Sequence, residues 1–135
     1  MEPTRIFLFI VFLLLLFGRL ASADGPQPKT VAVTKEDNGK EVAVPEGAVF
    51  EVRLEHPAGT GYMWQIVELD QTRLRVLEST EIPLKQGRIA GGPLLKTWKI
   101  KAVKVGQTDL EILLYRPWEG PEKAVDSLQV KIQIR

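Results

Sequence analysis

The sequence predicts an all-β domain, an immunoglobulin-like antiparallel sandwich of about eight strands, and three observations carry the prediction. Short runs of period two recur along the chain, at Thr30–Thr34, Glu41–Val44, Val49–Leu54, Trp64–Leu69, Leu74–Ser79, Lys96–Val103, Thr108–Tyr115 and Ser127–Ile134. Turn signals part them, at Asp37-Asn38-Gly39, Pro45-Glu46-Gly47 and Val105-Gly106-Gln107. No run of helical length carries a 3.6-residue period. Strands this short and this evenly spaced suit two packed sheets; a small closed barrel is the other architecture the pattern allows.

The chain opens with Arg5, an unbroken apolar run from Ile6 to Phe17, and the small-residue site Ala21-Ser22-Ala23. That layout is read as a secretory signal peptide over residues 1–23, cleaved after Ala23, its apolar core being shorter than the ~20 residues a spanning helix needs; an uncleaved N-terminal anchor is the other reading. Asp24 to Lys29 holds two prolines and a glycine and reads as a flexible lead-in, leaving residues 30–135 as one domain. The protein is thus expected to be secreted or periplasmic, with no stable membrane association once the signal is removed.

Without residues 1–23, the 18 basic and 17 acidic residues become 16 of each. A neutral domain with interspersed signs lacks the basic stripe of a nucleic-acid binder and has no charge excess to hold it on an anionic membrane. Cysteine is absent, so the fold must rest on its apolar core even in an oxidising compartment. Within Ser127–Ile134, Leu128, Val130, Ile132 and Ile134 alternate with Gln129, Lys131 and Gln133, as one buried and one wet face require.

If successive strands alternate in direction, three connections fall at one end of the sandwich, and these hold the unusual residues. They are His56 to Tyr62, Gln86 to Pro93, and Arg116 to Pro121. The connections at the other end are short and plain. Three shaped loops on a rigid scaffold are a recognition surface. Glycines permit positive φ or close backbone approach. Pro117 stiffens the segment ahead of Trp118, and a tryptophan on a loop tip is an interface anchor.

The other aromatics read differently. Trp64 and Trp98 lie inside strand patterns and are assigned to the core, while Gly61 and Tyr62 fit a structural turn as well as a functional one. His56, the single histidine, is expected to be solvated at a strand end rather than catalytic or metal-binding. No catalytic fingerprint is present, and with no cysteine and scattered carboxylates neither a metal nor a cofactor is expected. Glu119 and Glu122 read as a solvated rim. The protein is therefore not expected to be an enzyme, and it is read as a monomer.

Three motifs in order resemble those of the chagasin-like inhibitors of cysteine peptidases, over about residues 30–135. Gly59-Thr60-Gly61-Tyr62-Met63-Trp64 is similar to the family's Asn-Pro-Thr-Thr-Gly-Tyr/Phe-x-Trp. Gly87 to Gly92 with the strand Thr97 to Ala102 is similar to its glycine-rich second loop. Tyr115-Arg116-Pro117-Trp118-Glu119 is similar to its Arg-Pro-Trp loop. The resemblance implies tight, reversible inhibition of papain-like cysteine peptidases. It places Gly59, Thr60, Gly61 and Tyr62 at the enzyme's catalytic centre, with Thr60 and Gly61 nearest the thiolate. Gly91 and Gly92 would run along the non-primed groove, Trp118 would pack on the primed side, and Arg116 and Pro117 would fix that loop. The first motif departs from the family's in having His56-Pro57-Ala58-Gly59 before Thr60, through either a replaced Asn with a shifted Pro or one extra residue. From the residues alone, a secreted adhesion or glycan-binding module using the same loops is the alternative, and a structural domain of an exported assembly is a third reading.

Overall fold

A computed structural model of the 135-residue chain describes residues 30–84 and 92–135; the proposed signal segment, the lead-in, and the glycine run through Gly91 lie outside the described residues. Eight strands follow in chain order: β1 Ala32–Val33, β2 Glu41–Val44, β3 Val49–Pro57, β4 Met63–Leu69, β5 Leu74–Pro83, β6 Pro93–Ala102, β7 Gly106–Tyr115 and β8 Asp126–Ile134. They form two four-stranded sheets, β1-β3-β6-β5 and β2-β8-β7-β4. The sandwich, rather than the closed barrel, is the fold.

Between the sheets lies one apolar core. Phe50, Val52 and Leu54 of β3, Leu110 and Ile112 of β7, and the whole inward set Leu128, Val130, Ile132 and Ile134 of β8 are buried. Burial of each such side chain is worth about 1.5–3 kcal/mol, and this core is what holds a cysteine-free domain together. Trp64 and Trp98 are buried as the strand patterns require. Trp64 also ties the sheets together, its indole N–H donating to the Glu55 carbonyl at 3.0 Å.

Two strand pairs are parallel rather than antiparallel, β1 with β3 and β2 with β8. The reason is parity. Every connection from β2 to β8 reverses the chain, and six reversals bring β8 back to the direction of β2. The 3₁₀ turn Lys35–Asp37, followed by Gly39 at positive φ, carries the chain from the edge of one sheet to the edge of the other.

The strands of the first sheet also run further toward the loop end than the alternation suggests. β3, β5 and β6 stay in register through Leu94, which faces both His56 and Pro83, and Pro57 faces Pro93. Prolines end a sequence-based strand because they lack an N–H, yet at the terminus of a ladder or on an edge strand that donor is dispensable. His56 is consequently buried, not solvated: only 4% exposed, it continues the inward alternation of Phe50, Val52 and Leu54. Its Nε2 lies 3.3 Å from a carboxylate oxygen of Glu81 on β5.

At the opposite end, Asp70 shapes the β4–β5 turn. Its carboxylate accepts from the Thr72 hydroxyl at 2.6 Å, the Thr72 N–H at 2.9 Å and the Arg73 guanidinium at 3.0 Å. These bonds, those from Thr72 first, hold the Asp70 carboxyl below its ordinary value of 3.8. A depressed folded-state value contributes stability above the ordinary carboxylate range, and the contribution is lost as pH falls through the folded value. Asp70→Asn is therefore expected to lower the melting temperature at neutral pH, with the deficit shrinking as pH is taken below 3.8. Melting curves across pH check this; an equal deficit at every pH would show that the charge of Asp70 is not what matters.

Candidate functional site

The three special loops do meet at one end of the sandwich, because β3, β5 and β7 all finish there and β4, β6 and β8 all begin there. The first loop is tighter than its composition suggests. With His56 and Pro57 in β3, only Ala58 to Tyr62 connect the strands. Gly59 and Gly61 take φ of 75° and 81°, left-handed values that glycine adopts without a Cβ penalty. The Thr60 hydroxyl sits inside the turn, donating to the Pro57 carbonyl at 3.2 Å and accepting from the Tyr62 N–H at 3.4 Å.

Arg116 locks this loop to the one that follows β7. Its Nε donates to the Thr60 carbonyl at 3.0 Å, and its guanidinium carbon lies 4.5 Å from the centre of the Tyr62 ring and 5.9 Å from that of Trp118. A cation held against an aromatic face contributes about 0.5–2 kcal/mol depending on its hydration. Its other arm reaches Glu119 at 3.4 Å, so Glu119, read from the sequence as rim, is a partner of the lock. The Glu119 N–H returns to the Arg116 carbonyl at 2.9 Å, closing a four-residue turn with Pro117 in the position where a fixed φ favours it.

Trp118 occupies the corner of that turn and is 71% exposed, the most exposed of the large apolar side chains in the described residues. One edge of its ring is nonetheless fixed. A Cβ built on Gly61 would overlap the ring tip, with two further ring carbons at 3.1 and 3.2 Å. The absent side chain at Gly61 is therefore what lets the tryptophan lie over the first loop.

Of the residues singled out in the sequence, Gly59, Thr60, Gly61, Tyr62, Arg116, Pro117 and Trp118 thus form one connected surface. Gly92 joins it from the second loop, its carbonyl accepting from the Ala58 N–H at 3.4 Å; Gly91 lies outside the described residues. Among the described residues no group of three His, Asp or Glu could hold a metal. Its described residues pair no nucleophile with a base, the Thr60 hydroxyl being turned to the Pro57 carbonyl, and what they offer is contact: preset backbone, and one large ring facing outward.

The chain is similar to known proteins in sequence and in fold. Amoebiasin-2 of Entamoeba histolytica is 24% identical over 103 residues, covering 76% of this chain and 84% of that protein. Three solved structures share the fold. The crystal structure of the cysteine protease inhibitor EhICP2 from the same organism superposes with a TM-score of 0.69 at 23% identity, over 82% of this chain and 100% of that one. The solution structure of Amebosin gives 0.66 at 18% identity, over 79% and 99%. PbICP-C, solved in complex with falcipain-2, gives 0.58 at 18% identity, over 81% and 93%. Residues 43–132 match the family described as Chagasin family peptidase inhibitor I42, and with most of its β-sandwich inside that match the chain belongs to the chagasin family of peptidase inhibitors, not to a family of enzymes.

Proposed function

We propose that this protein is exported by its N-terminal signal peptide and inhibits papain-like cysteine peptidases by seating its three loops in their active-site cleft. The observation that carries the reading is the lock formed by Arg116 on Thr60, Tyr62 and Trp118, which joins the first and third loops before any partner arrives. Loops already ordered lose little entropy on docking, and tight, reversible inhibition follows from that economy. Membership of the family and the likeness to PbICP-C, a protein solved with falcipain-2 bound, support the same partner class.

Thr60 and Gly61 then stand over the catalytic thiolate, flanked by Gly59 and Tyr62. Gly91 and Gly92 follow the non-primed groove, and Trp118, held by Arg116 and Pro117, packs on the primed side. The loop resists cleavage for a conformational reason. Positive φ at Gly59 and Gly61, with the Thr60 hydroxyl bridging the turn, keeps the chain out of the extended form in which a peptidase takes a substrate.

The test is to titrate residues 24–135 against papain and a cathepsin-L-like enzyme while following hydrolysis of a peptide substrate. Stoichiometric inhibition well below micromolar is expected. No inhibition of several such enzymes at micromolar concentration, equivalent to about −8 kcal/mol of binding, would overturn the reading.

A further inference from the structure

The outer face of the second sheet changes character along its length. Away from the loops it is charged and amidic: Asp109 and Glu111 point outward from β7, Gln129 and Lys131 from β8, and with Glu68 of β4 they line a shallow polar groove of about 310 Å³. Toward the loop end the outward positions of β7 become apolar, although Gln65 of β4 and Ser127 of β8 still flank the first of them, Leu113. β7 continues with Leu113 and Tyr115, both half-buried, and Tyr115 pairs across the ladder with Met63 of β4. Val125, in the bend that leads into β8, has its N–H on the Leu114 carbonyl at 2.9 Å. Met63 is 38% and Val125 60% exposed.

None of these side chains is needed by the core, which on these strands is filled by Trp64, Leu114 and Leu128 from the opposite face. The apolar side chains that border the loops, Met63, Tyr115 and Val125, have no structural account among the described residues. Exposed apolar side chains grouped beside a recognition surface are where such a surface can extend. Its position selects the partner: Met63 follows Tyr62 directly, and Tyr115 precedes Arg116, so the patch continues from the two locked loops without a break in the chain.

We infer that Met63, Tyr115 and Val125 form a shoulder that packs against the rim of the same peptidase, outside its cleft, and sets which peptidases are held longest. The inference rests on the inhibitory reading above and extends its contact surface from the loops onto the sheet. Stable complexes bury roughly 800 Å² on each partner, and the shoulder adds area beside the loops. Its contribution falls mainly on dissociation, as for most contacts in one interface.

The experiment compares the wild-type domain with Met63→Glu/Val125→Glu and with Val67→Glu, by progress-curve inhibition kinetics against papain and a cathepsin-L-like enzyme. Val67 is also an exposed apolar residue of β4, 42% accessible, but stands four residues further from the loops, about 13 Å along the strand. The double variant is expected to dissociate at least about tenfold faster from one or more of the enzymes, corresponding to about 1.4 kcal/mol, with unchanged melting temperature. Val67→Glu is expected to match the wild type. Met63→Lys/Val125→Lys should weaken inhibition as well, since contact rather than charge is lost; tighter binding by the lysine pair would replace the apolar contact with an electrostatic one and overturn the inference. Wild-type inhibition with no change in the double variant would sink the shoulder alone, whereas absence of wild-type inhibition would sink the parent reading. Sedimentation of each protein separates the remaining case: a wild-type dimer that the double variant breaks, with inhibition unaffected, would assign the shoulder to a second copy of this chain and overturn the inference.

Discussion

Trp118→Ala is expected to weaken peptidase inhibition by about 2 kcal/mol or more, about thirtyfold in affinity, while thermal unfolding stays close to that of the wild type. The two halves of the expectation have separate causes. Most of the indole faces water in the free protein, so its removal leaves no cavity, and exposed substitutions usually change stability by less than about 0.5 kcal/mol. In the complex the same ring is the largest apolar group the loops can bury, and its position is already set by Gly61 and Arg116. Inhibition constants and melting curves on the same preparation decide the matter. Equal affinity would show that Trp118 is no anchor, and a collapsed melting temperature would show that it belongs to the fold.

Gly61→Ala is expected to be damaging on both counts. A φ of 81° is strained for any residue with a Cβ, by about 1–2 kcal/mol, and the added methyl would displace the Trp118 ring from the first loop. The melting temperature should fall by several degrees, given about 4–8 °C per kcal/mol in a domain near this size. Affinity should drop at least about tenfold, or about 1.4 kcal/mol, because the anchor is dislodged and the Thr60–Gly61 backbone shifted together. A double-mutant cycle separates strain from clash. In the Trp118→Ala background the clash is gone, so Gly61→Ala should cost only its backbone strain and further affinity loss should be small. Strictly additive effects on affinity would refute the contact between the two residues.

Much of the fold was legible because a sandwich writes itself into period-two alternation. The strands β2 and β8 and the buried tryptophans Trp64 and Trp98 could be placed from pattern alone, since each inward position must be apolar when one face is buried. Strand ends were less legible. Pro57, Pro83 and Pro93 each argue locally against a strand, and only the pairing of three strands at the edge of the ladder shows that no hydrogen bond is forfeited there. His56 was misplaced for the same reason: a histidine beside a proline has the composition of a loop, and its burial depends on β6 and β5 continuing beside it. Glu119 shows the reverse case, since its spacing of three from Arg116 was visible but its use as a partner required the turn to close.

By itself, the sequence determined which residues alternate inward, that a cysteine-free core must carry the domain, and, through the parity of reversals, that the loops holding Gly61, Gly92 and Trp118 share one end. Local composition and chain direction suffice for all of that. Only the tertiary structure decided that Arg116 grips the Thr60 carbonyl, that Gly61 is open because an indole lies over it, and that Met63 and Tyr115 stand side by side next to the loops. Those are contacts between residues up to 57 positions apart, set by how two sheets stack, and no periodicity along one strand encodes the distance to another.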